Sequence, residues 1–209
     1  MDFVAARKMM VDSQVRVNDV TDRALQAALL AVPRERFCAP ERAFSAYAEA
    51  ECEIANGRML MLPREVAKLL SAVEAAPGER ALAIAAPYAA AVLARLGVKV
   101  TAQEADQAVL DVVAPALAEA GVETVVAPFA QPQGEGYDII VSEGAVAGRP
   151  QSWLDALAVG GRLAVVERAG ASGRGILYVR GRDGFSRRDL FDAAPPMLAG
   201  MTPEPAFSF

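Results

Sequence analysis

The chain has no histidine among its 209 residues. That absence excludes imidazole general bases, Ser-His-Asp and Cys-His catalytic sets, and the commonest transition-metal ligand. Cysteine is almost as scarce, with only Cys38 and Cys52. Two thiols cannot build a disulfide scaffold or a four-ligand zinc site, so no metal is expected and both read as reduced, partly buried thiols. Aromatic residues make up 6% of the chain, with a single tryptophan. Positive charge is in deficit: 21 Lys and Arg against 26 Asp and Glu give a net charge of −5. That balance offers no footprint for nucleic acid and no anchor for an anionic membrane. Long apolar runs are missing too. The longest uncharged one, Ala81 to Ala94, is too short to span a bilayer and is interrupted by Pro87. Asp2, Arg7 and Lys8 put charge where a secretory signal needs an apolar stretch. The expectation is a cytoplasmic protein.

The composition that remains is globular, with 54% apolar and 22% charged residues. The length suits one domain with a modest extension. Alanine, about a fifth of the chain, favours helix and close helix–sheet packing.

The first third reads as helical. Val4, Met9, Met10 and Val17 share a face at mixed three- and four-residue spacing. Thr21-Asp22 offers an N-cap for an amphipathic stretch, Ala24 to Val32, that stops at Pro33. An irregular segment with Gly57 as a turn residue runs from about Cys38 to Leu62, and Pro63 then opens a helix to about Ala76. Pro77-Gly78-Glu79-Arg80 is a punctuation mark. After it, short apolar runs alternate with helical stretches: strands at 81–85, 98–102, 122–126, 137–141, 162–166 and 175–180, with helices at 88–96, 105–120 and 150–157. Strand–helix–strand repetition predicts a Rossmann-like α/β fold, a doubly wound, mostly parallel sheet behind an N-terminal helical extension. The expected division is residues 1–76 for the extension and 77–209 for the sheet domain, packed as one compact unit.

The order of segments resembles a class I S-adenosylmethionine-dependent methyltransferase, and within that class the protein-L-isoaspartate O-methyltransferase family. Val32-Pro33-Arg34-Glu35-Arg36-Phe37 is similar to a Val-Pro-Arg-Glu-x-Phe segment of the family. Leu62-Pro63-Arg64-Glu65-Val66-Ala67 resembles its acceptor-site segment. Pro77-Gly78-Glu79-Arg80-Ala81-Leu82 resembles the lead into its first strand, followed by Ala91 to Gly97. Tyr137 to Val141 with Gly160-Gly161-Arg162-Leu163 resembles a later strand pair. The resemblance spans about residues 10–180. It implies S-adenosylmethionine (SAM) as cofactor and methyl transfer to an isoaspartyl carboxylate.

The positions that would carry this chemistry depart from the family pattern. After the first strand the family has an acidic residue and a glycine-rich loop, where bare backbone approaches the cofactor. Here the stretch is Leu82-Ala83-Ile84-Ala85-Ala86-Pro87-Tyr88, with Ala83 at the acidic position and no glycine between Gly78 and Gly97. Pro87 also lacks an N–H. Glu104 stands where the family has a ribose-binding carboxylate; a helix N-terminal carboxylate is its other reading. Glu143 and Gly144 follow the fourth strand, where open sheets place ligands, though a solvated strand-end carboxylate is equally in keeping. In the acceptor segment Met59-Leu60-Met61-Leu62-Pro63, Met61 occupies the family's serine position, and a thioether cannot donate a hydrogen bond. The apolar Met59–Leu62 strip is either core or a surface for a protein partner or a second copy. Arg187-Arg188 reads as a solvated strand end. The tail, Pro203 to Phe209, reads as a packed final strand or a docking peptide.

The expectation is therefore a family member without SAM-dependent catalysis, acting as a binding or scaffold protein with no cofactor. Two alternatives stand beside it: an active SAM-dependent O-methyltransferase with an altered site, and a pocket for a different small, apolar ligand.

Overall fold

The computed structural model describes residues 1–202. The tail from Pro203 lies outside the described residues. The N-terminal third is helical, but not on the expected face: Val4, Met9 and Val17 are exposed, and Met10, Val11 and Val15 are buried, because a π turn at Val11–Val15 shifts the register. Helix α1 (Phe3–Met10) continues through a wide π turn (Val11–Val15) and a 3-10 turn (Arg16–Asn18). Helix α2 (Arg23–Ala31) is capped by Asp22, whose side chain accepts from the Ala24 and Leu25 amides. Two 3-10 turns follow, Arg34–Phe37 and Pro40–Ser45.

The stretch expected to be irregular contains a hairpin, β1 (Cys52–Ala55) against β2 (Arg58–Leu60). Asn56 at φ 49° and Gly57 at φ 74° make the tight turn between them. Both central residues at positive φ are what an Asn-Gly hairpin requires, and that signal stood in the sequence. Helix α3 (Pro63–Ala72) starts on Pro63 and ends a turn sooner than predicted.

The main sheet has seven strands: β3 (Arg80–Ile84), β4 (Lys99–Glu104), β5 (Glu123–Val126), β6 (Tyr137–Val146), β7 (Leu157–Arg168), β8 (Gly173–Arg180) and β9 (Phe185–Asp192). Their order is β5-β4-β3-β6-β7-β8-β9. Strands β5 to β7 pair in parallel; β8 and β9 are antiparallel additions. Helices α4 (Pro87–Arg95) and α5 (Gln107–Glu119) connect the strands on one side of the order, and the short α6 (Gln151–Asp155) connects β6 to β7 on the other. The strand order reverses between β3 and β6. Open α/β sheets bind ligands at such a switch point, beyond the carboxyl ends of the strands.

Alternation within each strand builds two cores. Ala81, Ala83, Ile139, Val141, Ala164 and Val166 face α3, α4 and α5. Leu82, Ile84, Ile140, Leu163 and Val165 face the opposite side, where Trp153 and Leu154 of α6 pack. Small residues of β3 on the helical face let α4 sit close to the sheet. Met10, Leu25, Phe37 and Met61 join that same core, so the N-terminal segment is the outer layer of one packed unit. Among the described residues, no helix is long and apolar enough to cross a membrane.

Arg162 of β7 ties this layer to the sheet. Its guanidinium donates to the Val73 and Glu74 carbonyls at the end of α3 and to both oxygens of Glu79, at 2.8 and 2.9 Å. It thereby satisfies helix-end carbonyls that have no partner within the helix. Replacing it (Arg162→Met) is expected to lower the unfolding free energy by roughly 2–3 kcal/mol, read from urea melts. A change below about 0.5 kcal/mol, typical of an ordinary surface substitution, would contradict this role.

Candidate functional site

The carboxyl end of β4 and Gly144 of β6 meet the β1–β2 hairpin in a cleft of about 250 Å³. Met59, Val109, Phe129, Met197 and Leu198 supply an apolar lining; Asn56, Arg58, Glu104 and Asp106 supply the polar groups. Gly144 sits at φ 152° on its wall, where an added Cβ would lie 2.4 Å from Leu198.

The chain places its own side chains across the head of this cleft. Arg58 donates to the Ala85 carbonyl and the Met59 carbonyl, and its guanidinium lies 3.6 Å from Glu104 Oε1. Glu104 is the last residue of β4, 1% exposed, and neither carboxylate oxygen has a hydrogen-bond partner. Burial raises its pKa to about 7; Arg58 pulls the other way and Glu143 adds to the rise. Glu143 lies fully buried within β6. Its Oε1 accepts from the Ala89 amide at 2.8 Å, at the N-terminus of α4, where the helix dipole favours a carboxylate. Its other oxygen is unpartnered. Burial lifts its pKa as well, opposed first by Arg34.

Arg34 is wholly buried. It donates to the Ala46 carbonyl at 2.8 Å and to the Met61 carbonyl, and lies 4.8 Å from the centre of the Tyr88 ring. The turn from β3 to α4 carries a further constraint. Ala85 sits at φ 52°, a left-handed conformation that costs a non-glycine residue energy. Its amide donates to Gln103 at 2.8 Å, and Pro87 has no amide hydrogen to offer.

Residues 5–173 match the family described as Protein-L-isoaspartate(D-aspartate) O-methyltransferase (PCMT). The chain belongs to the PCMT family. It is 37% identical over 168 residues to Protein-L-isoaspartate O-methyltransferase 1 of Rhodopseudomonas palustris (strain HaA2), covering 77% of this chain and 69% of that protein. It is 33% identical to the Protein-L-isoaspartate O-methyltransferase of Methylorubrum extorquens (strain PA1), over 96% of this chain and 91% of that one. The fold agrees. A putative PCMT from Plasmodium falciparum, solved with S-adenosyl-L-homocysteine, superposes with a TM-score of 0.79 over 92% of this chain and 97% of that chain at 16% identity. A further protein-L-isoaspartate O-methyltransferase structure gives 0.76 over 95% of this chain and 66% of the longer one at 18% identity.

Within this PCMT chain, the expected site residues fall into three groups. Glu104, Gly144, Met59 and Met61 line the cleft together. Ala83, Ala85 and Ala86 are buried around the β3–α4 turn. Pro87 and Tyr88 are buried in the first turn of α4. Tyr88 packs between Arg34 and Phe37, edge-to-face with Phe37 at 5.7 Å, so it belongs to the core under the N-terminal layer.

Three readings need correction. Glu104 does not cap a helix: it ends the strand, and Asp106 caps α5 by accepting from the Ala108 amide. Glu143 is no solvated strand end, because β6 runs on to Val146 and buries it. Leu60 and Met61 are 0% and 1% exposed, and Pro63 is also buried, so the Met59–Leu62 strip does not form an outward surface; only Met59 and Leu62 are half-buried. The hairpin turns this strip inward under the N-terminal helices.

Sequence reasoning missed Arg34 and Arg58. Arg34 stood in the family-like segment without a role. Arg58 follows the Asn56-Gly57 turn, which fixes where its side chain starts but not that it reaches Ala85, some 27 residues further on.

The raised pKa of Glu104 sets a direction for stability. A carboxyl whose folded pKa lies above its unfolded value of about 4.3 stabilises fully only below the latter, and the contribution fades as pH rises through about 7. Glu104→Gln removes that loss. Relative to the parent, the variant is expected to gain about 2 kcal/mol more at pH 8 than at pH 5 in urea unfolding. An equal difference at both pH values would contradict the assignment.

Proposed function

We propose that this PCMT-family chain does not carry out SAM-dependent catalysis and acts as a binding or scaffold protein. SAM would bring an anionic methionine carboxylate and a bulky nucleoside to the β3–α4 turn. Two of the donors there are committed, Ala85 to Gln103 and Ala89 to Glu143, and Pro87 has none. Glu143 already occupies the N-terminal end of α4, where a ligand carboxylate would have to compete with it for the Ala89 amide. Arg58 covers the Ala85 carbonyl and stands beside Glu104, the residue that would hold the ribose. The Ala85 methyl projects where bare backbone is needed. The residues present do not fit the cofactor, and no methyl-transfer step is derived.

The observation that supports this reading is that Glu143 holds the Ala89 amide at the head of α4 and Arg58 the Ala85 carbonyl. A cytoplasmic setting suits the two free thiols. A protein partner or a second copy would have to meet a surface other than Leu60 and Met61. The cleft supports a second reading, a small ligand: its walls are mostly apolar, and Glu104 offers two unpartnered oxygens to a hydrogen-bond donor.

Calorimetric titration with SAM and with S-adenosylhomocysteine is expected to show no saturable heat at micromolar concentrations. An isoaspartyl peptide is expected to gain no label from methyl-labelled SAM. Saturable binding, or label above the enzyme-free blank, would overturn the proposal.

A further inference from the structure

We infer that Glu65 heads a binding site outside the cleft, one that takes a small alkylammonium ion. The site is a surface pocket of about 400 Å³. It lies between the first turn of α3, the residue that leads into β1, the β7–β8 turn and the chain leaving β9. It shares no lining residue with the cleft beside Glu104, so it does not depend on how that cleft is read. Glu65, Glu51 and Asp192 supply carboxyls; Leu62, Ala193 and Ala194 supply an apolar wall.

Glu65 is 5% exposed, and its Oε2 is sealed from solvent without a hydrogen-bond partner. A carboxyl left in this state is costly until a donor or a cation meets it. Its place in the first turn of α3 does not account for it, because no side chain caps this helix. The cations nearby are engaged elsewhere. Arg64 pairs with Glu49, and Arg174 with Asp192 at 3.2 Å. Arg168 donates to the Gly170, Ala194 and Pro195 carbonyls at 2.7, 3.0 and 2.8 Å. Lys68, one turn further along α3, holds its ammonium 5.1 Å from the centre of the Phe191 ring. The pocket lining therefore sets three carboxyls against the one guanidinium of Arg64. Burial raises Glu65 to about 7, with Arg64 opposing and Glu51 adding to the rise. Glu51 is raised by burial as well, with Arg168 opposing.

The carboxyls repel an anion. A metal ion needs several converging oxygens, and among the described residues no three His, Cys, Asp or Glu side chains are placed to hold one. An ammonium gathers three donors on one compact charge. Its alkyl stem can lie along Leu62 and Ala193 while the head meets Glu65. A free amine and a lysine side chain present the same head.

The test follows the backbone amide NMR shifts of the full chain as n-butylammonium chloride is added at constant ionic strength. Saturable shifts are expected at Glu65, Gly173 and Ala193. Binding is expected to be about tenfold tighter at pH 8 than at pH 6, because Glu65 ionises near 7 while the amine stays protonated. Glu65→Gln is expected to bind about tenfold more weakly and to lose most of the pH dependence. Glu104→Gln is expected to bind as the parent does. Nα-acetyl-lysine N-methylamide separates the sources: equal or tighter binding assigns the site to a lysine of another protein, weaker binding to a free amine. Shifts that sodium chloride reproduces, binding lost in Glu104→Gln, equal affinity in Glu65→Gln, or tighter binding of methylguanidinium would overturn the inference. Should Glu65→Gln fail to fold, the place of the shifts and their pH dependence in the parent chain still decide it.

Discussion

The carboxylate of Glu143 at the head of α4 is the constraint around which the site is arranged. A buried anion is costly unless it is paired or hydrogen-bonded. Here one oxygen takes the Ala89 amide, the helix end supplies partial positive charge, and Arg34 stands opposite. Arg34 in turn has to be buried to do this. It reaches the Met61 carbonyl, and so holds the acceptor-side segment inward. The hairpin that precedes this segment delivers Arg58 to the Ala85 carbonyl. One buried charge thus accounts for the inward Met61, the covered β3–α4 turn and the narrow cleft.

Much of the fold was legible because it rests on local pattern. Alternation along 81–84 and 162–166, glycines after helices at Gly97 and Gly121, and the Pro77-Gly78 break place β3 to β7 to within a few residues. Strand β6 was cut short because Ser142-Glu143-Gly144 is polar and glycine-bearing, and only tertiary burial makes it strand. Strand β9 was missed as an element because Ser186-Arg187-Arg188-Asp189 shows no apolar alternation. It is an edge strand whose charges face water, where Arg174 pairs with Asp192 at 3.2 Å.

Of the site, the sequence shows residue types and not the contacts between them. Missing glycines and a missing hydroxyl can be read from residue types at expected positions. That an arginine from a hairpin reaches the β3–α4 turn, and a glutamate of the adjoining strand the head of α4, depends on contacts between Arg58 and Ala85 and between Glu143 and Ala89. These pairs are separated by 27 and 54 residues, and no local pattern reports them. The Asn56-Gly57 turn was the one local clue, and it speaks of the hairpin alone.

The charge left over says what the cleft can accept. Glu104 lines the cleft with its pKa raised by burial, and neither of its oxygens has a hydrogen-bond partner; Glu143 lies behind the cleft wall, with its pKa raised as well. Arg58 and Arg34 oppose this without cancelling it. A group entering the cleft relieves the cost if it donates hydrogen bonds or carries positive charge, and adds to it if it is an anion. The apolar walls of Met59, Phe129 and Leu198 stand beside the buried Glu104 carboxyl, so the cleft joins an apolar surface to one hydrogen-bonding group that a donor can satisfy.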